Sequence, residues 1–386
     1  MIALFEDNTE KEIKKIKSKR ICKKKDSIVL SNNSLCAFDI EEYKKFIICV
    51  KDLFKVNTKS YASQHESMFR LTIQKGKVYF TKFYEKYYIK FEINSVCSNV
   101  DISVLLPHEL FVKSTGIIEI ISVDDNFIIV KVNGINVTYN NNVHKEDYDE
   151  YICDFSDVKK YVLSCDTFSK IKKACYFTAI DDINEEIQYV YVNNGDIVAT
   201  NKKHMIIYNY DNVSDNENLL FFKSVKFFPD GECTIRVKND MMNINVGNIT
   251  SVIKTCDTFL PYKRIIPNNN CFHSQVVFNM DSIMNAIKNL SVFFNNISSK
   301  YILFKIKDDV CTLEVKYNGI QTINIDCEYK GEYNISFNGN LFMLILEHIK
   351  TGKVIIDIYK NAPAIIRGND LNYKHIIMPL DYEINS

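Results

Sequence analysis

The sequence predicts an α+β protein of three similar tandem domains, each placing two helices against antiparallel sheets. Two recurring units and their spacing predict it. The first unit is an apolar strand, a polar cap and an amphipathic helix. It occurs at Leu35–Phe54 (LCAFDIEEYKKFIICVKDLF), Lys160–Phe177 (KYVLSCDTFSKIKKACYF) and Val276–Phe294 (VVFNMDSIMNAIKNLSVFF). An acid stands near each helix start (Asp39, Asp166, Asp281), where a carboxylate satisfies orphan backbone N–H groups. Apolar residues then recur at helical spacing, as in Ile283, Ile287 and Leu290. The second unit is a helix-like stretch, a glycine and two β-patterned strands. Its glycines, Gly116, Gly231 and Gly352, lie 115 and 121 residues apart. Glycine is a routine helix stop. Two different units in the same order at nearly one period point to a triplicated module with six to eight strands per copy.

Polar stretches at Asn140–Glu150 and Ile266–Asn270 mark the joints. The expected domains are therefore 35–145, 146–268 and 269–386, with residues 1–34 as an extension outside the repeat. At 386 residues, 46% hydrophobic and 25% charged, the chain is long and apolar enough for several cores. It has no apolar run of membrane-spanning length, and no basic, apolar leader opens it. Twelve cysteines are scattered without a C-x-x-C pair; Cys36, Cys49, Cys165, Cys311 and Cys327 lie in apolar-patterned stretches and read as small buried hydrophobes. The net charge of zero hides an asymmetry. Residues 11–25 carry nine Lys/Arg against Glu12, and residues 1–25 together carry +5. Nucleotide-binding glycine loops, nucleophile elbows and metalloprotease motifs are all missing, and the seven histidines are dispersed. The expectation is a protein that is not an enzyme and uses no cofactor and no metal.

Four segments carry a resemblance. KVIIDIYKNAPAIIRGNDLNYKHIIMPL (Lys353–Leu380) resembles the last sheet of the bacterial DNA polymerase III beta subunit, which ends in a "V/I-M-P" segment. FLPYKRIIP (Phe259–Pro267) is similar to the family's "F-P-D-Y-R-R-V-I-P" joint, with the first proline shifted to Pro261. NGDIVATNKKHMIIYN resembles the strand carrying "A-T-D-G-H-R-L-A". Either Ala199-Thr200 or His204 can be matched, and Lys202 or Lys203 replaces the family's glycine. SVFFNNISS (Ser291–Ser299) resembles "S-L-F-A-N-E". The resemblance covers about 35–380 and is weakest over 55–105.

The resemblance implies the DNA clamp fold and a head-to-tail homodimer whose six domains close a ring around duplex DNA. It further implies a groove between the second and third domains that accepts a short peptide from a DNA polymerase, an ATP-driven clamp loader or other partners. Its lining would be Thr200, His204, Met205, Leu260, Arg264, Ile265, Ala364, Ile365, Ile376, Ile377, Met378, Pro379 and Leu380. Taken singly, Ile376, Ile377 and Met378 read as a buried strand, and Arg264 as a surface charge. Lysines facing DNA without reading sequence would be Lys44, Lys45, Lys51, Lys113, Lys170, Lys172, Lys173, Lys223, Lys226, Lys288 and Lys350. Val292 and Phe293 match the pair that packs across the family's dimer joint, a core role for one of them being equally open. The resemblance places the protein in the cytoplasm at the nucleoid, or in an organellar or phage equivalent, away from membranes. The basic extension reads as a DNA-touching arm, a partner-binding helix or a solvated tail, the arm being preferred for its nine cations in fifteen residues, and a place over the groove is open to the acidic tail Asp381–Ser386. The competing expectation is a monomeric clamp-fold adaptor or decoy that binds such peptides without encircling DNA.

Overall fold

The computed structural model describes residues 34–41, 44, 68–84, 87–94, 97–98, 101–107, 110, 115–124, 126–140, 154–179, 182–193, 195–210, 218–256, 258–294, 301–350, 352–369 and 372–380. Lys45, Lys51, Lys113, Cys49, most of the basic extension and the acidic tail lie outside them. So does most of the first predicted helix, of which Ile40, Glu41 and Lys44 are seen in helical conformation.

The strands form where apolar and polar residues alternate. Val310–Lys316 buries Cys311, Leu313 and Val315 completely and leaves Val310 and Lys316 exposed. Tight hairpins join such strands where two consecutive residues adopt positive φ, as at Asn133-Gly134, the turn chemistry that matches strand twist.

One order of elements recurs. In the second repeat a strand (Lys160–Leu163) enters helix α1 (Cys165–Ala174). Strands Tyr189–Asn193, Asp196–Thr200, His204–Asn209 and Leu219–Phe222 follow, then a 3-10 turn (Lys223–Phe227). Strands Cys233–Lys238, Met241–Val246 and Ile249–Lys254 complete it. The third repeat runs Phe272–Asn279, helix α2 (Met280–Ser291), Tyr301–Lys307, Val310–Lys316, Ile320–Glu328 and Glu332–Asn338. It then continues through helix α3 (Gly339–Ile349), Lys353–Tyr359, Ala364–Arg367 and Tyr373–Ile377. In the first repeat the corresponding strands are Cys36–Asp39, Met68–Gln74, Lys77–Tyr84, Tyr87–Asn94, Ile102–Pro107, Ile117–Val123, Phe127–Val132 and Ile135–Asn140.

The repeats join by the same device. The last strand of the second repeat pairs antiparallel with the Tyr87–Asn94 strand of the first, from Ile249↔Phe91 to Ile253↔Tyr87. The last strand of the third pairs antiparallel with His204–Asn209 of the second, from His204↔Ile377 to Tyr208↔Tyr373. Sheets of eight and twelve strands therefore run across the two joints. The helices pack on the sheets through Phe168, Ile171 and Ala174 of α1, Ile283, Ile287 and Leu290 of α2, and Phe342, Ile345 and Leu346 of α3.

Three expectations are corrected. The N-terminal caps are Ser164 and Asn279, whose side chains accept from Thr167 N, and from Asp281 N and Ser282 N. Asp166 and Asp281 sit instead in the first helical turn, where the helix dipole favours them. The helix-like stretch of the second repeat shrinks to Lys223–Phe227 because Pro229 bars α conformation at Phe228, which is extended at φ −66° and ψ 152°. Cys165 is exposed, whereas Cys36, Cys311 and Cys327 are buried thiols as expected.

Gly339, the first residue of α3, lies against the buried Phe294 ring, whose Cζ would stand 2.7 Å from a Cβ added there. Replacing Gly339 with Ala should therefore destabilise the protein by about 1–3 kcal/mol through overpacking, and pairing it with Phe294→Leu should recover part of the loss. Denaturant midpoints of the single and double variants check this; an unaffected G339A midpoint would refute the close approach.

Candidate functional site

The joint between the second and third repeats gathers the expected groove residues, and strand alternation sorts those on its strands onto two faces. Thr200 pairs with Met205, Met205 with Ile376, and Ile376 with Ile365, so these four share the outer face of the sheet. His204 pairs with Ile377, and Ile377 with Ala364, so those three share the inner face. Ala364 and Ile377 are buried in the main core beneath the helices, and His204 is 2% exposed. His204, Ala364 and Ile377 thus do not line an outer groove, because neighbours along a strand point to opposite sides.

On the outer face Met205, Ile365 and Ile376 form a small apolar cluster with Val198, Ile207, Tyr262 and Tyr359. The segment between the repeats closes over it. Pro261 leads into a 3-10 turn, Tyr262–Arg264, which drives the Tyr262 ring into the cluster. The Tyr262 hydroxyl donates to Asp196 Oδ2 at 2.5 Å, and Phe259 stacks on Tyr191 at 4.8 Å between ring centroids. Burial pushes the Tyr262 phenol far up, and the neighbouring Asp196 carboxylate adds to it. Leu260 is half-buried, while Arg264 and Ile265 are exposed beside it.

The end of the described chain runs on from the sheet to the Glu332–Asn338 strand of the third repeat. Met378 N donates to Lys203 O at 3.3 Å and Leu380 N to Ser336 O at 2.9 Å. Met378 remains 47% exposed, and Pro379 and Leu380 are half-buried. Met378, Pro379, Leu380, Leu260 and Ile265 therefore keep accessible apolar surface, whereas Met205, Ile365 and Ile376 are buried in the cluster that contains Tyr262. Thr200 is on this face but buried, its hydroxyl donating to His204 O at 2.8 Å.

The turn at 200–204 also accounts for the family's missing glycine. Lys202 adopts φ 72°, the left-handed region that glycine favours. Asn201 Oδ1 compensates by accepting from Lys203 N at 3.2 Å and His204 N at 3.0 Å.

The inner face holds an arrangement that was not expected. His204 Nε2 lies 2.9 Å from His375 Nδ1, His375 Nε2 lies 3.0 Å from His348 Nδ1, and His348 Nε2 bonds the Tyr208 hydroxyl. Phe177, just past α1, packs against all three imidazoles, with ring centroids 4.8, 5.1 and 5.5 Å from His204, His375 and His348. Burial lowers the three imidazoles, His204 to about 3, His348 to about 4 and His375 well below its ordinary value. His204 Nδ1 is buried and has no hydrogen-bond partner among the described residues. The sequence signal was present in the alternation of His204 with Met205 and of His375 with Ile376, but it requires knowing that the two strands are neighbours.

The basic residues fall on the helical side. Lys173, Lys288 and Lys350 are exposed and make no ion pair among the described residues. Lys170 pairs with Asp166 at 2.9 Å, Lys172 with Asp230 at 2.5 Å and Lys44 with Glu41 at 2.9 Å. Lys223 Nζ donates to Gln188 Oε1 at 3.0 Å, and Lys226 lies over the exposed Tyr176 ring at 5.4 Å. Val292 is 65% exposed, whereas Phe293 is half-buried against Tyr317, with ring centroids 5.7 Å apart. No cluster of His, Cys, Asp or Glu able to hold a metal exists among the described residues.

No protein-family model and no curated protein sequence matches this chain. Solved structures do. The DNA polymerase III beta subunit of Thermotoga maritima superposes with a TM-score of 0.76 at 16% identity, covering 90% of this chain and 99% of that one. The Borrelia burgdorferi beta subunit, solved in complex with a natural product, gives 0.79 at 14% identity, over 91% and 100% of the two chains. The Bartonella birtlesii sliding clamp, solved bound to griselimycin, gives 0.78 at 16% identity, over 90% and 99%.

The fold is that of a bacterial sliding clamp. Likeness at this identity establishes the clamp architecture over nine-tenths of the chain, and the side chains at the joint are this clamp-fold protein's own. Among the described residues no helix is long and apolar enough to cross a membrane.

Removing the Tyr262 hydroxyl (Tyr262→Phe) should cost about 1–2 kcal/mol, the worth of a partly buried hydrogen bond to a carboxylate. Urea unfolding measures it, and an unchanged midpoint would show that the Asp196 bond does not hold the inter-repeat segment down.

Proposed function

We propose that this chain is a DNA sliding clamp: two copies close head to tail around duplex DNA and tether a polymerase through the outer face of the second joint. One observation carries the reading. At both joints the last strand of one repeat pairs with the third strand of the preceding repeat's four-stranded meander. Applied once more, that rule pairs the last strand of the first repeat with the Ile320–Glu328 strand of the third. Among the described residues these two strands stand at a sheet edge. Residues 135–139 pair with the Phe127–Val132 strand and with no other described strand. Ile320–Glu328 pairs with Val310–Lys316 and, through its last two residues, with the Val277-Phe278 pair. Both edges expose apolar side chains, Ile135 at 66% and Ile320 at 60%. Unpaired edges of this kind invite a partner strand.

The two edges lie at opposite ends of one chain, so a second copy satisfies both at once. Val292 and Phe293 stand beside this edge through the Tyr317 turn, which supports their place in the same interface. On this reading the repeats are domains 35–145, 146–268 and 269–386, and the exposed Lys173, Lys288 and Lys350 meet phosphates. Lys170, Lys172, Lys223 and Lys226 do so by exchanging their present partners.

The peptide site takes its anchors from the accessible apolar strip of Met378, Pro379, Leu380, Leu260 and Ile265 over Met205, Ile365 and Ile376, with Arg264 at its edge. Burying two large anchor side chains supplies about 3–6 kcal/mol before ordering costs. That suits an exchangeable tether. A closed ring does not thread itself onto circular DNA, so an ATP-driven loader completes the set of partners.

Three outcomes check the reading. Sedimentation should give a mass near twice 44.9 kDa; a stable 44.9 kDa species would favour the adaptor instead. After loading, the protein should stay on circular DNA and run off linear ends, and equal loss from both would overturn encirclement. Deleting residues 378–386 should abolish binding of a polymerase-derived peptide with apolar anchors while the dimer persists; unchanged peptide affinity would remove the groove assignment.

A further inference from the structure

We propose that the His204–His375–His348–Tyr208 chain is an acid-sensitive latch that holds the second and third repeats together and releases their joint as pH falls. The members come from both sides of the joint. His204 and Tyr208 belong to the His204–Asn209 strand, His375 to the Tyr373–Ile377 strand paired with it, and His348 to α3 above. The contacts are head to tail, 2.9 Å and 3.0 Å between rings and then His348 to the phenol. Two of the three links, His204 with His375 and Tyr208 with His348, cross from one repeat to the other.

The proton count of this chain is fixed by its geometry. Three neutral imidazoles and one phenol carry four protons, and the three contacts use three of them. The fourth lies at one end, on His204 Nδ1 or on the Tyr208 hydroxyl. A fifth proton enters only as a cation on a ring, and a sixth sets donor against donor. Among the described residues no carboxylate offsets such a cation. The charged groups acting on His348 are Lys173, from α1, and Lys350, at the end of α3, both of the wrong sign. Tyr208 and Tyr373 face it with aromatic edges, and Phe177 covers all three rings from the α1 side. An uncompensated buried cation is costly. The chain therefore takes up protons by coming apart.

The sign follows from linkage. Each imidazole is held below its ordinary value in the closed joint, so the opened joint binds more protons. Above about pH 6.5 both forms are neutral and the latch is intact. Below that the opened form gains about tenfold per pH unit for each histidine released, until the closed-state values near 3–4 are reached. The first joint provides the control within the same molecule. Its strands, 87–91 and 249–253, contain no histidine and add a Ser251 hydroxyl donating to Tyr88 O at 3.0 Å.

Native-state hydrogen exchange of the full-length protein, corrected for intrinsic rates, tests the proposal at pH 7 and pH 5.5. Protection of 204–209 and 373–377 should fall by roughly ten- to a thousandfold, one factor of about ten per histidine released. Protection of 87–91 and 249–253 should fall much less. Equal loss at both joints would mean acid unfolding of the whole chain, and equal retention would mean no latch; either result overturns the proposal. A variant with His204→Phe, His375→Leu, His348→Leu and Tyr208→Phe should make the two joints respond alike. Should it fail to fold, the wild-type comparison alone still decides. Exchange is read without DNA or peptide, so the outcome does not depend on what the outer face binds.

Discussion

Everything in this structure depends on how a strand at the edge of one repeat is satisfied by the next. A row of unpaired N–H and C=O groups is a liability that a chain must bury, blunt or pair. Here pairing is chosen twice, with the same strand of each module and in the same antiparallel sense. The rule has no natural end within a single chain, because every module added to one edge leaves another edge behind. A closed arrangement of identical chains removes all the edges together, whereas an open one always presents two.

The joint strands serve both of their faces, and the two faces are mechanically inseparable. Met205 and Ile376 point outward while His204 and His375 point inward, each a single residue along the same backbone. A slip of one residue would bury the methionine among the helices and expose the imidazoles. The histidine chain therefore pins the register as well as the distance between repeats, which an apolar core of equal volume would do less strictly. Its cost is a dependence on protonation state that leucine and phenylalanine would not carry. The unpartnered His204 Nδ1 shows that even the neutral chain is not fully satisfied.

Much of this was legible in the amino-acid sequence, and the misses have physical causes. The strand–cap–helix units at 160–177 and 276–294 were visible because apolar period and capping chemistry act locally. Gly116 and Gly352 marked the second unit because both take φ 76°, a conformation other residues resist. Gly231 lacks that conformation, and the helix-like stretch before it is cut to the 3-10 turn Lys223–Phe227 because Pro229 bars α conformation at Phe228. Family resemblance carries no information on strand parity: Ile376 with Ile377, Ala364 with Ile365 and His204 with Met205 are consecutive pairs whose side chains point to opposite faces of the sheet. The histidine chain was out of reach because His204, His348 and His375 are up to 171 positions apart, and only the joint brings them together.

On the proposed reading, the charges on the helical side follow a logic suited to sliding. Lys170 and Lys172 are held by Asp166 and Asp230 at the rim of α1. Exposed pairs of this sort are worth about 0–1 kcal/mol, so trading an aspartate for a passing phosphate is nearly balanced in either direction. A surface on which every cation were free would grip a polyanion more tightly and release more counterions on binding. On the proposed reading, partial neutralisation would shorten each contact's lifetime and leave retention to topology rather than affinity. The near-zero net charge of the whole chain would then be compatible with holding DNA, because an encircling protein needs its cations in one place rather than in excess.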